Sequence, residues 1–284
     1  MRKMVLGNVP TLDYACTEAM NTLATNVTFS GSKYRAIMTT SCIASEGKSF
    51  VTFHLVRTLA NMGYSTLLVD ADLRKSVFFS RYDVRITGPR TGLSHYLAGR
   101  SPLEDVLYQT NLPNVFVIPA GREVINSLPL LTSAAFVNLL HQMKKGFDFV
   151  IVDAPPVGLL IDAAMVASTC DATILVVSGD KISRRELIEA KQQIEKSGCT
   201  LLGAVLNKVS METHKSRKYY YKSYYSHYGA GSYASNAAEE ETVPREARAV
   251  RRVKQPGEKA SARKGASKPP KLFKSLPDAD GAEE

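Results

Sequence analysis

A chain of 284 residues with 44% hydrophobic composition can bury one substantial core and leaves room for one or two domains. No apolar run approaches the roughly 20 residues of a membrane span, and the start at Met1-Arg2-Lys3 is not followed by the apolar stretch of a signal peptide, so a cytoplasmic protein is expected. Of 36 Lys and Arg and 27 Asp and Glu, 11 and two respectively lie between Arg245 and Lys274, which leaves 25 of each elsewhere. The formal charge of +9 thus belongs to a tail, and the balanced remainder argues against a specific nucleic-acid-binding face. Four scattered cysteines, Cys16, Cys42, Cys170 and Cys199, lack metal-ligand spacing and suit a reducing compartment.

In chain order, residues 1–32 carry one helical candidate, 17–27, with Glu18 in its first turn and Ala19, Leu23 and Val27 on one face. From Arg35 the chain reads RAIMTTSCIASEGKS. A β-prone run, Ala36 to Thr39, passes into a small-residue loop and then into the helical pattern Phe50, Phe53, Leu55, Val56 and Leu59. Strand, loop and helix in that order suit a phosphate-binding loop. Backbone N–H groups of Ala44, Ser45, Glu46, Gly47, Lys48, Ser49 and Phe50 would face phosphates at a helix N-terminus. The Lys48 ammonium would reach the outer phosphates and the Ser49 hydroxyl would ligate Mg2+. Cys42 stands where the pattern GxxxxGK[ST] has its first glycine, and a side chain at Cys42 or Ser45 is expected to strain a loop that needs φ > 0. A chance EGKS at a helix start is the competing reading.

After Gly63, Thr66 to Val69 reads as a buried strand ending in Asp70-Ala71-Asp72, where one carboxylate can hold a metal or its water and the other can accept a proton from an attacking hydroxyl. Residues 73–90 look irregular. A helix follows at 93–97, and Ser101-Pro102-Leu103-Glu104 has the form of a capping box that opens another. Val115 to Ile118 is a strand, and Val137, Leu139, Leu140 and Met143 mark a helix giving way at Gly146. Phe149 to Asp153 is a buried strand with a terminal aspartate, the Walker B pattern, stopped by Pro155 and Pro156. Ala172 to Val177 and Leu201 to Leu206 supply two more strands around a helix that opens at a Ser183 to Glu186 capping box and ends near Gly198. Alternating strands and helices, nearly all the strands apolar on both faces, give an α/β fold: a doubly wound, mainly parallel sheet of the P-loop NTPase type. Its carboxyl edge collects Lys48, Asp70, Asp72, Asp153 and Asn207.

From Met211 the composition changes. Tyr219, Tyr220, Tyr221, Tyr224, Tyr225, Tyr228 and Tyr233 are seven of the 13 tyrosines, in a segment with no aliphatic residue between Lys215 and Ala230. The expected layout is an N-terminal segment with a helix at 1–32, a nucleotide-binding domain at 33–210, a tyrosine cluster at 211–234, and a disordered basic tail at 235–284.

Together, TTSCIASEGKS, LLVDADLRK, FDFVIVDAPPV and the tyrosine cluster resemble the bacterial tyrosine kinases, in particular the soluble type associated with capsular and exopolysaccharide export. The resemblance spans roughly residues 15–233. It implies an enzyme that moves the γ-phosphate of ATP, with Mg2+, to tyrosines of its own tail and thereby regulates polysaccharide synthesis. By matching position, Lys48 and Ser49 would hold phosphates and Mg2+, Asp70 and Asp153 would sit with the metal, and Asp72 would serve as metal contact or base. It further implies a membrane-spanning activator that recruits the chain to the inner face of the membrane, and a ring-like homo-oligomer. Asn21 and Ala24 stand where the family carries arginines associated with subunit contact, which weakens that assembly. The family also has Pro-Gly in place of Ala44-Ser45 and Pro in place of Ser76. The basic tail is expected to touch anionic membrane. A non-kinase ATPase of the same fold, or a regulatory nucleotide-binding module, is the alternative; partition-type ATPases carry an extra lysine where Ile43 stands here.

Overall fold

The computed structural model describes residues 1–158, 161–179 and 182–209; the expected tyrosine cluster and basic tail lie outside the described residues. In chain order the elements are β1 (Arg2–Leu6), α1 (Tyr14–Phe29), β2 (Ala36–Ser41), α2 (Lys48–Asn61), β3 (Thr66–Asp70), α3 (Phe78–Arg81), β4 (Val84–Ile86), α4 (Leu93–Leu97) and α5 (Leu103–Val106). There follow β5 (Tyr108–Thr110), β6 (Val115–Ile118), α6 (Leu128–Leu131), α7 (Ala134–Gly146), β7 (Phe149–Asp153), α8 (Ile161–Thr169), β8 (Ala172–Ser178), α9 (Arg184–Lys196) and β9 (Thr200–Asn207).

Among the described residues nine strands form one sheet in the order β4-β1-β5-β6-β3-β7-β2-β8-β9. The run from β6 to β9 is parallel throughout, as doubly wound α/β sheets require. Every residue of β2, β3, β7 and β8 is buried, because helices cover both faces of the central strands. Alternation along each strand divides the core in two. Met38, Val69 and Val152 face the layer that holds α7 and α8, whereas Ile37, Leu68 and Ile151 face α1 and α2.

Several sequence expectations change. Residues 1–32 hold a strand, β1, as well as a helix: Met4 and Leu6 are buried while Lys3 and Val5 are exposed, and β1 pairs with β4 and β5. The helix begins three residues before the expected start, at Tyr14, because the Asp13 side chain caps it by accepting the Cys16 N–H at 2.7 Å. The stretch expected to be irregular contains α3 and β4. The helix at Leu103 is a single turn with Pro102 as N-cap and no capping side chain. Val137 is exposed and Phe136 takes its place in the core. Strand β9 is the sheet edge and largely open to solvent. The Ser183 to Glu186 capping box forms, with reciprocal bonds at 3.2 and 2.8 Å.

One buried histidine makes the domain acid-sensitive. His54 lies on the core side of α2 with its ring 4.3 Å from Phe50, and its Nε2 has no hydrogen-bond partner. Burial, with Arg57 adding to it, lowers its pKa from 6.5 to about 4. The unfolded chain therefore takes up a proton near pH 6.5 that the folded chain refuses until about pH 4, so stability falls as pH drops through that window. Replacing His54→Leu should remove this contribution, on the order of 3 kcal/mol at its largest. Urea unfolding of both chains across the window checks it: the gap between them should widen towards acid.

Candidate active site

The edge formed by the carboxyl ends of β2, β3 and β7 carries the charged residues. Parallel register sets Asp70 opposite Asp153 and Thr39 opposite Asp153. Lys48, the first residue of α2, reaches across with its Nζ 3.1 Å from Asp72 Oδ2 and 3.3 Å from Asp153 Oδ1. Burial works against its ammonium, but Asp153, Asp72 and Asp70 outweigh it and raise its pKa. Asp70 has the opposite balance. Burial, reinforced by Asp153, pushes its carboxyl up to about 7 although Ser76 and Lys48 oppose the shift. The Ser76 hydroxyl donates to Asp70 Oδ2 at 2.5 Å, and the Asp72 N–H donates to Asp70 Oδ1 at 3.2 Å.

The loop between β2 and α2 is shaped from behind. Glu46, read from the sequence as a backbone contact, turns its side chain inward and is fully buried. Its Oε2 accepts the Ile43 N–H and its Oε1 the Ser178 N–H, both at 2.9 Å, which ties the loop to β8. Asn207 Nδ2 donates to the Glu46 carbonyl at 2.8 Å, and Lys208 Nζ to the Ser45 carbonyl at 2.6 Å. Gly47 has φ 92°, and a Cβ there would collide with the Asn207 amide. Ala44 and Ser45 form the exposed crest of the loop.

Of the two side chains expected to strain the loop, only Ser45 does, with φ 67°. Cys42 has ordinary backbone geometry and is buried; its carbonyl lies where Gly158 leaves room for it. Burial, with Glu46 and Glu186 adding, pushes the Cys42 thiol up to about 12, which keeps it protonated. Phe50 reaches the loop, but its N–H donates to the Gly47 carbonyl at 3.1 Å and its ring packs on His54. Ser49 Oγ lies 3.4 Å from Lys48 Nζ. The structure thus brings Lys48, Ser49, Asp70, Asp72 and Asp153 to one edge, with Asn207 behind the loop. On α1, Asn21 is exposed whereas Ala24 is fully buried in the core, so position 24 presents nothing to a neighbouring molecule.

Sequence reading missed the supporting groups. Thr52 Oγ1, one turn after Lys48, lies 2.5 Å from Thr39 Oγ1, 2.7 Å from the Lys48 carbonyl and 3.5 Å from Asp153. Asp162, buried at the start of α8, accepts from Arg74 Nε at 2.8 Å and from the Ser127 hydroxyl, which anchors the turn after Asp72. The polar pair Thr39-Thr40 inside an apolar strand was the one available signal.

No group of three or more His, Cys, Asp or Glu among the described residues forms a metal cage by itself. The oxygen donors at this edge, Ser49 Oγ with Asp70, Asp72 and Asp153, are the hard type that suits Mg2+, which takes only one or two carboxylates beside phosphates and water.

The strained serine yields a test. Replacing Ser45→Gly should stabilise the chain by about 1 kcal/mol, since glycine enters the left-handed region without a Cβ clash. Chemical denaturation monitored by circular dichroism measures it.

Residues 44–199 match the AAA domain family. The chain is 41% identical to the tyrosine-protein kinase CpsD of Streptococcus agalactiae serotype Ia over 193 residues, which is 68% of this chain and 82% of that one. It is similar in structure to the kinase domain of Escherichia coli tyrosine kinase ETK, with TM-score 0.65 and 28% identity over 73% of this chain and 84% of that one. The septum site-determining protein MinD of Pyrococcus horikoshii, solved with Mg-ADP, matches at TM-score 0.53 and 27% identity over 64% and 72% of the two chains. A P-loop edge of this form, joined to that degree of identity over most of a kinase's length, makes the assignment: the chain belongs to the bacterial tyrosine-protein kinases.

Proposed function

We propose that this kinase transfers the γ-phosphate of ATP to its own C-terminal tyrosines, Tyr219, Tyr220, Tyr221, Tyr224, Tyr225, Tyr228 and Tyr233. The observation that carries the reading is the Lys48 ammonium at the head of α2, held within 3.3 Å of both Asp72 and Asp153 beside Ser49 and Asp70. The MinD relative solved with Mg-ADP supports a nucleotide and Mg2+ at the corresponding loop.

In this reading the loop amides from Ala44 to Ser49 and the N-terminus of α2 bind the phosphates, and Lys48 neutralises charge on the transferred group. Ser49, Asp70 and Asp153 would hold Mg2+, which when bound adds positive charge against the phosphate oxygens. A tyrosine hydroxyl attacks the γ-phosphorus, the bond to the β-phosphate oxygen breaks to leave ADP, and the hydroxyl proton passes to the Asp72 carboxylate. Thr52 and Ser76 position Asp153 and Asp70 through the hydrogen bonds described above.

The tail begins beside the site because β9 ends at Asn207, which touches the loop. Eleven residues from Lys208 to Tyr219 span at most roughly 40 Å, enough to reach the same site or a neighbour's. The domain layout follows: catalytic domain to residue 210, substrate cluster at 211–234, basic tail beyond. By family likeness, the chain acts in the cytoplasm with a membrane-spanning activator, at the inner face of the membrane, and controls capsule or exopolysaccharide synthesis. The basic tail would add affinity for anionic lipid. Homo-oligomer contacts are weakened at Asn21.

Lys48→Met and, separately, Asp72→Asn should each lower tail phosphotyrosine at least about 100-fold with the fold intact, because a missing charge at a transferring phosphoryl group costs several kcal/mol. Mass spectrometry of chains made in cells lacking other tyrosine kinases is the check. Phosphotyrosine at the unmodified chain's level in Lys48→Met would reject the reading.

A further inference from the structure

A cavity of about 330 Å³ opens at the amino edge of the sheet, the end opposite the phosphate loop, lined by Lys33, Arg35, His141, Lys144, Lys145 and Asp171. Topology builds it. Lys33 and Arg35 lie in the loop before β2, Asp171 directly precedes β8, and His141, Lys144 and Lys145 come from the C-terminal half of α7. The six residues of β2 separate it from the loop by roughly 20 Å.

The one carboxylate in this lining is already occupied. Asp171 Oδ2 accepts the backbone N–H groups of Arg35 at 3.0 Å and Ala36 at 2.8 Å, and Oδ1 accepts Lys144 Nζ at 2.9 Å. Arg35 Nη1 donates to the Lys144 carbonyl at 3.3 Å, and Lys33 Nζ lies 4.7 Å over the Tyr34 ring. Lysines gather at helix C-termini for the sake of the dipole, which accounts for Lys144 and Lys145. It does not account for Lys33 and Arg35, which approach from the loop before β2. Four cations around one engaged carboxylate make a local excess of positive charge in a chain that is balanced outside its basic tail.

We propose that this cavity is a phosphate-monoester site that takes phosphotyrosine from the C-terminal cluster, of the same chain or of a second copy. A phosphotyrosine carries about −1.5 to −2 charges and three strong acceptor oxygens, which matches converging ammonium and guanidinium donors. Modification is required for the match. Residues 217–228 contain Arg217, Lys218 and Lys222 and no acidic residue, so the unmodified segment is repelled and phosphorylation reverses the sign. Reach is ample, since the 25 residues from Lys208 to Tyr233 can extend well beyond the roughly 20 Å between the two edges.

The inference rests on the tail being phosphorylated as proposed above. Its test uses the full-length, phosphatase-treated protein without nucleotide and two synthetic peptides covering residues 217–228, one unmodified and one phosphorylated at Tyr224 and Tyr225. Fluorescence anisotropy at physiological salt should show the phosphopeptide binding at least about tenfold more tightly, with inorganic phosphate competing. The chain carrying Lys33→Gln, Arg35→Gln and Lys145→Gln keeps the Lys144 to Asp171 pair and should lose about tenfold or more of that affinity at unchanged Tm. Lys145→Gln alone, an exposed position, should give a partial loss and serves if the triple variant does not fold. Equal affinity for the two peptides would overturn the proposal, as would undiminished binding by the variants. So would binding of phosphatidylserine vesicles through the same side chains in preference to the phosphopeptide, which would make the occupant a lipid surface. Because the peptides are synthetic, a failure here counts against the cavity, whereas absence of tail phosphotyrosine in cells counts against the catalytic reading.

Discussion

Three carboxylates at the ends of neighbouring parallel strands and the turn that follows repel one another, and a single lysine makes their assembly tolerable. Register alone sets Asp70 against Asp153, so the repulsion is inherent in the sheet. Lys48 relieves it on two sides, at Asp72 and Asp153. Asp70 is relieved differently, by retaining a proton up to about pH 7 and by the Ser76 hydroxyl. Negative groups still outnumber positive ones, so the edge favours any added cation that arrives with a nucleotide. The helix start at Lys48, the order of the strands and the turn after Asp72 all serve to keep this one ammonium among these acids.

The loop in front of that cluster depends on a further buried acid. Glu46 engages two backbone N–H groups with its two oxygens, one within the loop and one on β8. Asn207 and Lys208 engage two loop carbonyls from the other side. A serine at φ 67° persists because its surroundings over-determine the backbone there. The departure from a glycine-rich pattern is therefore carried by side chains behind the loop, and Cys42 contributes no strain of its own.

How far the sequence could be read follows from where each element draws its stability. The central strands β2, β3, β7 and β8 are buried on both faces and built on apolar runs, and such runs declare themselves locally. Strands β1, β4 and β5 are three to five residues long and exist because distant partners complete their ladders, so no local pattern announced them. The single turns α3 and α6 are equally context-bound. At the site, Lys48, Ser49, Asp70, Asp72 and Asp153 were legible because motif spacing reflects a fixed strand-to-helix geometry. Thr52, Ser76 and Asp162 were not, because a threonine in a helix or a serine in a turn gains its meaning only from what faces it across the fold. Ala24 makes the same point in reverse, since its place in a motif said nothing of its burial in the core.

The tie between Lys208 and the Ser45 carbonyl has a consequence for where the catalytic unit ends. Lys208 turns back with φ 57° and sets its ammonium 2.6 Å from that carbonyl, one residue after Asn207 secures the Glu46 carbonyl. A boundary drawn at the last strand residue would cut between two fastenings of one loop. A pull on the chain from beyond residue 208 would load the end of β9 and, through the Lys208 and Asn207 side chains, the phosphate loop together. The connection out of β9 is thus also a mechanical handle on the phosphate loop.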